Sequence, residues 1–135
     1  MERKNIIVEK TVAFSIDIIK FCELLDQQKK YVVSKQLLRC GTSVGANVFE
    51  AQHAESRADF IHKMKIAVKE ANETMYWLIL CEKADSYSSD SFLKIKLTKS
   101  FESFQESYFL VKKKLENDCR KTIANLNIEI KKWLL

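Results

Sequence analysis

Proline is absent from this 135-residue chain and glycine occurs only twice, which removes the usual punctuation of β-hairpins and irregular loops. Cysteine is scattered as Cys22, Cys40, Cys81 and Cys119, with no Cys-x-x-Cys pair and no histidine cluster of the kind a zinc site needs. Neither metal, disulfide nor cofactor is expected. Four such thiols fit a reducing compartment, so the expected location is the cytoplasm. Glu9, Lys10 and Asp17 interrupt the N-terminal apolar stretch that a signal peptide would keep unbroken. No run approaches the roughly 18 apolar residues of a membrane span, so no membrane association is expected.

What is present is a globular balance, 47% apolar and 30% charged, at a length that buries a core without staples. One domain over 1–135 is expected, and its class is all-α. Four segments carry apolar residues at alternating steps of three and four, the pattern of helices packed in a left-handed bundle. The first runs Ile7, Thr11, Phe14, Ile18, Phe21 and Leu25, with Val12, Ile16 and Ile19 widening the stripe. The second runs Val33, Leu37, Cys40, Val44, Asn47 and Ala51, placing Asn47 on the core face. The third runs Phe60, Met64, Ala67, Ala71, Thr74, Leu78 and Cys81 without a missed step. The fourth runs Leu97, Phe101, Phe104, Tyr108, Val111 and Leu115, then more loosely Cys119, Thr122, Leu126, Ile130 and Trp133.

Ser56-Arg57-Ala58-Asp59 has the form of a capping box and should start the third helix. The polar stretch 86–90 suits a turn and a new N-cap. The break at 27–30 follows from periodicity alone. The expected helices are therefore about 5–27, 31–54, 57–86 and 90–118, with a helical extension over about 119–133. Short connections make successive helices antiparallel neighbours, which predicts an up-down-up-down four-helix bundle.

Gly41 and Gly45 lie one turn apart inside the second helix, each costing about 1 kcal/mol relative to Ala. A phosphate-cradling loop would need a following Lys and a preceding strand, and neither is present. The reading that survives is close approach of a neighbouring helix or subunit. Glu50 and His53 form one Glu-x-x-His step, but a di-iron site needs a second such pair and two more inward Glu residues, so no metal is assigned. Nothing pairs a nucleophile with a base or an oxyanion hole, and no enzyme is expected. Asn47 on a core face would need a hydrogen-bond partner, with Glu70, Glu73 and Thr74 as candidates across the helices. Tyr76 and Trp77 beside the third stripe are either second-layer core or an interface anchor.

Charge is unevenly placed. Residues 112–135 hold seven Lys or Arg against three Asp or Glu, and so carry four of the chain's five net positive charges. Lys112, Lys113, Lys114, Arg120, Lys121, Lys131 and Lys132 are therefore candidate nucleic-acid contacts, since clustered cations release counterions from phosphate backbones. The competing reading is a solvated helix end that complements its own dipole.

Lys35 to Ala51, containing Gly41-Thr42-Ser43-Val44-Gly45-Ala46-Asn47, is followed by Asp59-Phe60-Ile61-His62-Lys63 and Glu70-Ala71-Asn72-Glu73-Thr74-Met75-Tyr76-Trp77. This combination resembles the bacterial four-helix-bundle family encoded in intervening sequences of 23S ribosomal RNA genes, over roughly residues 10–125. The resemblance implies a homo-oligomeric ring, a pentamer in related proteins, without established enzymatic activity. It also implies kinship with accessory proteins of diversity-generating retroelements, which associate with a reverse transcriptase and nucleic acid. On the same resemblance Arg39, Asn47, Glu50, Glu70 and Glu73 would link helices or subunits. Phe49, where a smaller or polar residue is usual, and the stretch through Leu135 depart from the family pattern. The function expected is a non-enzymatic oligomeric scaffold with RNA, DNA or protein as partner and no small-molecule substrate. The alternative is a self-assembling protein-interaction module without a nucleic-acid role.

Overall fold

The computed structural model describes residues 5–134, except the side chains of 100, 101, 103–105, 107, 108, 111, 115, 119, 123 and 126–134. The chain is all-α among the described residues: α1 (Ile6–Gln27), α2 (Tyr31–Ala51), α3 (Arg57–Lys83) and α4 (Ser91–Leu134). None of these helices is long and apolar enough to cross a membrane.

Local chemistry sets the boundaries. The Asn5 side chain accepts from the Val8 N–H to start α1. At its end Lys30 N–H reaches Leu25 O and Lys29 N–H reaches Asp26 O, with Lys29 at φ 61°. This is a Schellman closure built on a lysine where glycine is usual. Ser56 caps α3 by accepting from Asp59 N–H at 3.0 Å, while the Asp59 carboxylate accepts from Glu55 N–H at 3.2 Å. The reciprocal half of the box thus closes one residue earlier than the Ser56 N–H. Asp90 accepts from the Phe92 and Leu93 N–H groups and begins α4.

Two ends fall short of expectation. α2 stops at Ala51 rather than near 54, because Gln52 and His53 tighten onto the carbonyls three residues back. α3 stops at Lys83 rather than near 86, where Ala84 turns extended. α4 continues as one helix to Leu134, with no break after 118.

α1 packs against α2 and α4, and both of these pack against α3. Glu50, late in α2, meets Lys63, early in α3, whereas Arg39 meets Glu70 and Glu73. Those two helices therefore run in opposite directions. The α1–α2 seam is polar at one level, where Ser34 Oγ donates to Cys22 O and Cys22 Sγ donates to Ser34 O. Further along it is very close: a Cβ on Gly41 would stand 2.8 Å from Ile18 Cγ2, and one on Gly45 would stand 3.0 Å from Ser15 Oγ. Both glycines thus serve approach of α1.

Phe14, Ile18, Phe21, Leu25, Leu37, Val44, Val48, Met64, Ala67, Ala71, Leu78, Leu93 and Leu97 form the core. The α3 stripe is buried from Met64 to Cys81, with Thr74 donating to Glu70 O at 2.8 Å. The α2 stripe needs correction, since Val48 takes the buried seat and Asn47 is half-buried beside it. Asn47 Nδ2 donates to Ser43 O of its own helix at 2.8 Å rather than across to α3. Val12, Ile16 and Ile19 do not widen the core either, being 49%, 47% and 40% exposed. The expected α4 seats at Phe101, Phe104, Tyr108, Val111 and Leu115, and then Cys119, Leu126, Ile130 and Trp133, lie outside the described side chains.

Candidate interaction surfaces

Three features of the surface are built by this packing. The first is an ion cluster between α2 and α3. The Arg39 guanidinium stands 3.5 Å from Glu70 and hydrogen-bonds Glu73, which keeps the Glu73 carboxyl below its ordinary range. The Trp77 indole also favours the charged Glu73 carboxylate, though no hydrogen bond of ordinary geometry joins them. Tyr76 lies 57% exposed with its ring edge-on to Trp77, centroids 5.6 Å apart. Arg39, Glu70, Glu73, Tyr76 and Trp77 are therefore brought together, and Glu50 reaches Lys63 at 3.3 Å one level away. Gly41, Gly45 and Asn47 belong to the interior side of α2 and do not join them.

The second feature is basic. Lys112, Lys113, Lys114, Arg120 and Lys121 are all exposed on α4. Two acids, exposed Glu116 and half-buried Asp118, lie in their midst; Asp118 is engaged by Arg57 at the start of α3, and that hydrogen bond holds its carboxyl below the ordinary range. The pairing matters because Arg57 adds a positive charge beside Asp118, so the five cations and Arg57 outnumber the two acids at this surface. Lys131 and Lys132 continue the same helix, with side chains outside the described set. A smaller basic cleft of about 220 Å³ lies between α1 and α4, floored by Ala13 and Phe14 and edged by Lys10, Lys96 and Lys99. Within it Lys96 is bonded to Asp17.

The third feature is the row Val12, Ile16 and Ile19 on the outer face of α1. The sequence placed these three as widening the core stripe, because α1 is apolar on two sides and apolar spacing alone does not say how wide a face is covered. A helical wheel at about 100° per residue separates the two, placing this row roughly 130° from the buried one.

Little here suits bond chemistry. Phe49, Glu50, His53, Glu55, Asp59 and Lys63 line an open cleft of about 490 Å³, but Glu50 is tied to Lys63 and Asp59 to the Glu55 N–H. Burial pushes the Cys22 thiol up to about 11 and raises Cys40 and Cys81 as well, so these sulfurs stay protonated and unreactive at neutral pH. Among the described residues no three His, Cys, Asp or Glu gather as metal ligands.

A family model described as 23S rRNA-intervening sequence protein matches residues 3–115. The chain is also similar to a solved structure from Bacteroides thetaiotaomicron, a protein of unknown function from the S23 ribosomal protein family. The two are 39% identical with a TM-score of 0.72, over 77% of this chain and 96% of the other. No curated protein matches.

Proposed function

The chain belongs to the 23S rRNA-intervening sequence protein family, and on that premise we propose that it is a cytoplasmic, non-enzymatic scaffold that binds RNA through the basic side of α4. In this reading the four helices form an up-down-up-down bundle, copies associate into a closed homo-oligomer, and assembly multiplies the basic surface by the number of subunits. The observation that carries it is the exposure of Lys112, Lys113, Lys114, Arg120 and Lys121 around an Asp118 already bonded to Arg57. Phosphate backbones reward such a cluster through counterion release.

Gel-shift titration with structured RNA tests it. If all five cations reach phosphates of a double-helical segment, at about 0.9 counterions per contact, affinity falls on the order of five-hundredfold between 50 and 200 mM salt. Replacing the five by Gln should abolish the shift. An absent shift, or one indifferent to those replacements, refutes the reading.

A second reading is favoured by the exposed row Val12, Ile16 and Ile19 together with Tyr76. In it the chain is a self-assembling module that recruits a protein through apolar surface, and charge serves solubility. Binding that survives nuclease and the five Gln replacements distinguishes it.

A further inference from the structure

α4 carries positive charge in two places. Lys99, Glu106, Lys113 and Arg120 stand at steps of seven, a spacing that stays on one face of a bundled helix. That face is the outer one, since all four side chains are exposed while Leu97, on the far side, is buried. Fourteen residues, about 21 Å at 1.5 Å each, separate Lys99 from Lys113. Residues 100–111 between them hold no Lys or Arg and two exposed acids, Glu102 and Glu106.

The first basic end is completed by α1. Lys10 lies across the cleft from Lys96 and Lys99, and Lys96 is bonded to Asp17, so three lysines against that carboxylate leave this end positive. The second end gathers Lys113, Lys114, Arg120 and Lys121 with Arg57, against Glu116 and Asp118. One continuous helix thus presents positive, negative and positive charge in succession along its outer side.

That alternation selects among nucleic acids. A single strand laid along the row would carry its phosphates over Glu102 and Glu106, and repulsion there offsets what the two ends gain. In double-helical RNA the strands close in across a deep, narrow major groove, and the phosphate ridges so formed are parted by a wide, shallow minor groove. We propose that α4 lies along an RNA duplex with its two basic ends on successive phosphate ridges and Glu102 and Glu106 over the minor groove between them. The carboxylates then face 2′-hydroxyls, which donate hydrogen bonds, instead of phosphates. The proposal rests on the RNA-binding reading above and adds to it the duplex form of the ligand and a second contact at Lys10, Lys96 and Lys99.

Fluorescence anisotropy of labelled RNA with the full chain tests it. The probes are duplexes of about 16 base pairs, enough to reach two successive minor grooves, and of about 6, which hold one ridge, and an oligouridine strand with as many phosphates as the longer duplex. The longer duplex should bind more tightly than the strand. Lys10→Gln with Lys99→Gln should weaken the salt dependence of duplex binding about tenfold between 50 and 200 mM salt, the effect of two lost contacts at about 0.9 counterions each. Glu102→Gln with Glu106→Gln should raise affinity for the strand more than for the duplex. All four side chains are exposed, so helicity by circular dichroism should be unchanged in both variants. Strand affinity equal to or above that of the longer duplex, equal binding of the two duplexes, or an unchanged salt dependence without Lys10 and Lys99 overturns the proposal. Any of these leaves the RNA-binding reading intact so long as binding needs the cations at 112–121. Binding of none of the three probes overturns both.

Discussion

Gly41→Ala is the sharpest test of the α1–α2 seam. In an unobstructed helix interior the change stabilises by about 1 kcal/mol. Here the added methyl would meet Ile18 Cγ2 at 2.8 Å, Cγ1 at 3.0 Å and Cδ1 at 3.2 Å. Ile18 is fully buried, and its Cγ2 sits directly on the β-carbon, so it clears the space only by rotating χ1 into packed neighbours or by moving α1. Overpacking of this kind costs about 1–3 kcal/mol. The net expectation is a loss of about 1 kcal/mol in wild type.

Ile18→Ala alone should cost about 2–5 kcal/mol through its cavity. In that background all three clashing carbons are gone, so Gly41→Ala should become neutral or stabilise by up to about 1 kcal/mol. The implied coupling of about 1–2 kcal/mol exceeds the roughly 0.3–0.5 kcal/mol scatter of independent sites. Urea denaturation followed by far-ultraviolet circular dichroism measures all four proteins, at one concentration because association would shift apparent stability. Gly41→Ala stabilising wild type, or acting equally in both backgrounds, refutes the close approach. Gly45→Ala should be milder, because the Ser15 hydroxyl it meets first can rotate, leaving the Thr11 carbonyl at 3.3 Å to yield slightly.

Lys29→Gly should raise stability by about 0.5–1 kcal/mol, since glycine removes the left-handed strain at φ 61° at some cost in unfolded-state entropy. A lower urea midpoint would show that the Lys29 side chain matters more than its backbone. Arg39→Gln should narrow its gap to wild type as pH falls. Glu73 has a folded-state pKa depressed below the ordinary 4.5, so its pairing contributes fully above that value and is lost as pH drops through the folded one. Urea midpoints followed stepwise from pH 7 to pH 2 measure this, and a gap that narrows nowhere in that range would mean that Arg39 acts through packing.

The helical class and the placement of α3 were written in the sequence, because Met64 to Cys81 never misses a step and a segment without Pro or Gly has few alternatives. The start of α3 was legible at Ser56 and that of α4 only to within the stretch 86–90, of which Asp90 caps the nearby N–H groups. The turn after α1 was not, since Lys29 adopts a left-handed conformation that its side chain does not announce. Asn47 against Val48 was undecidable from the pattern: after Val44 a step of three or of four continues a helical stripe, and only the approach of α1 at Gly41 and Gly45 rotates Val48 inward. The two apolar sides of α1 posed the same ambiguity. Periodicity states which residues share a face, while the length and direction of the other helices decide which face is covered. Thr11, Phe14 and Ile18 already stood on the expected stripe and are buried, so what tertiary packing decided is that Val12, Ile16 and Ile19 do not widen it and stay exposed.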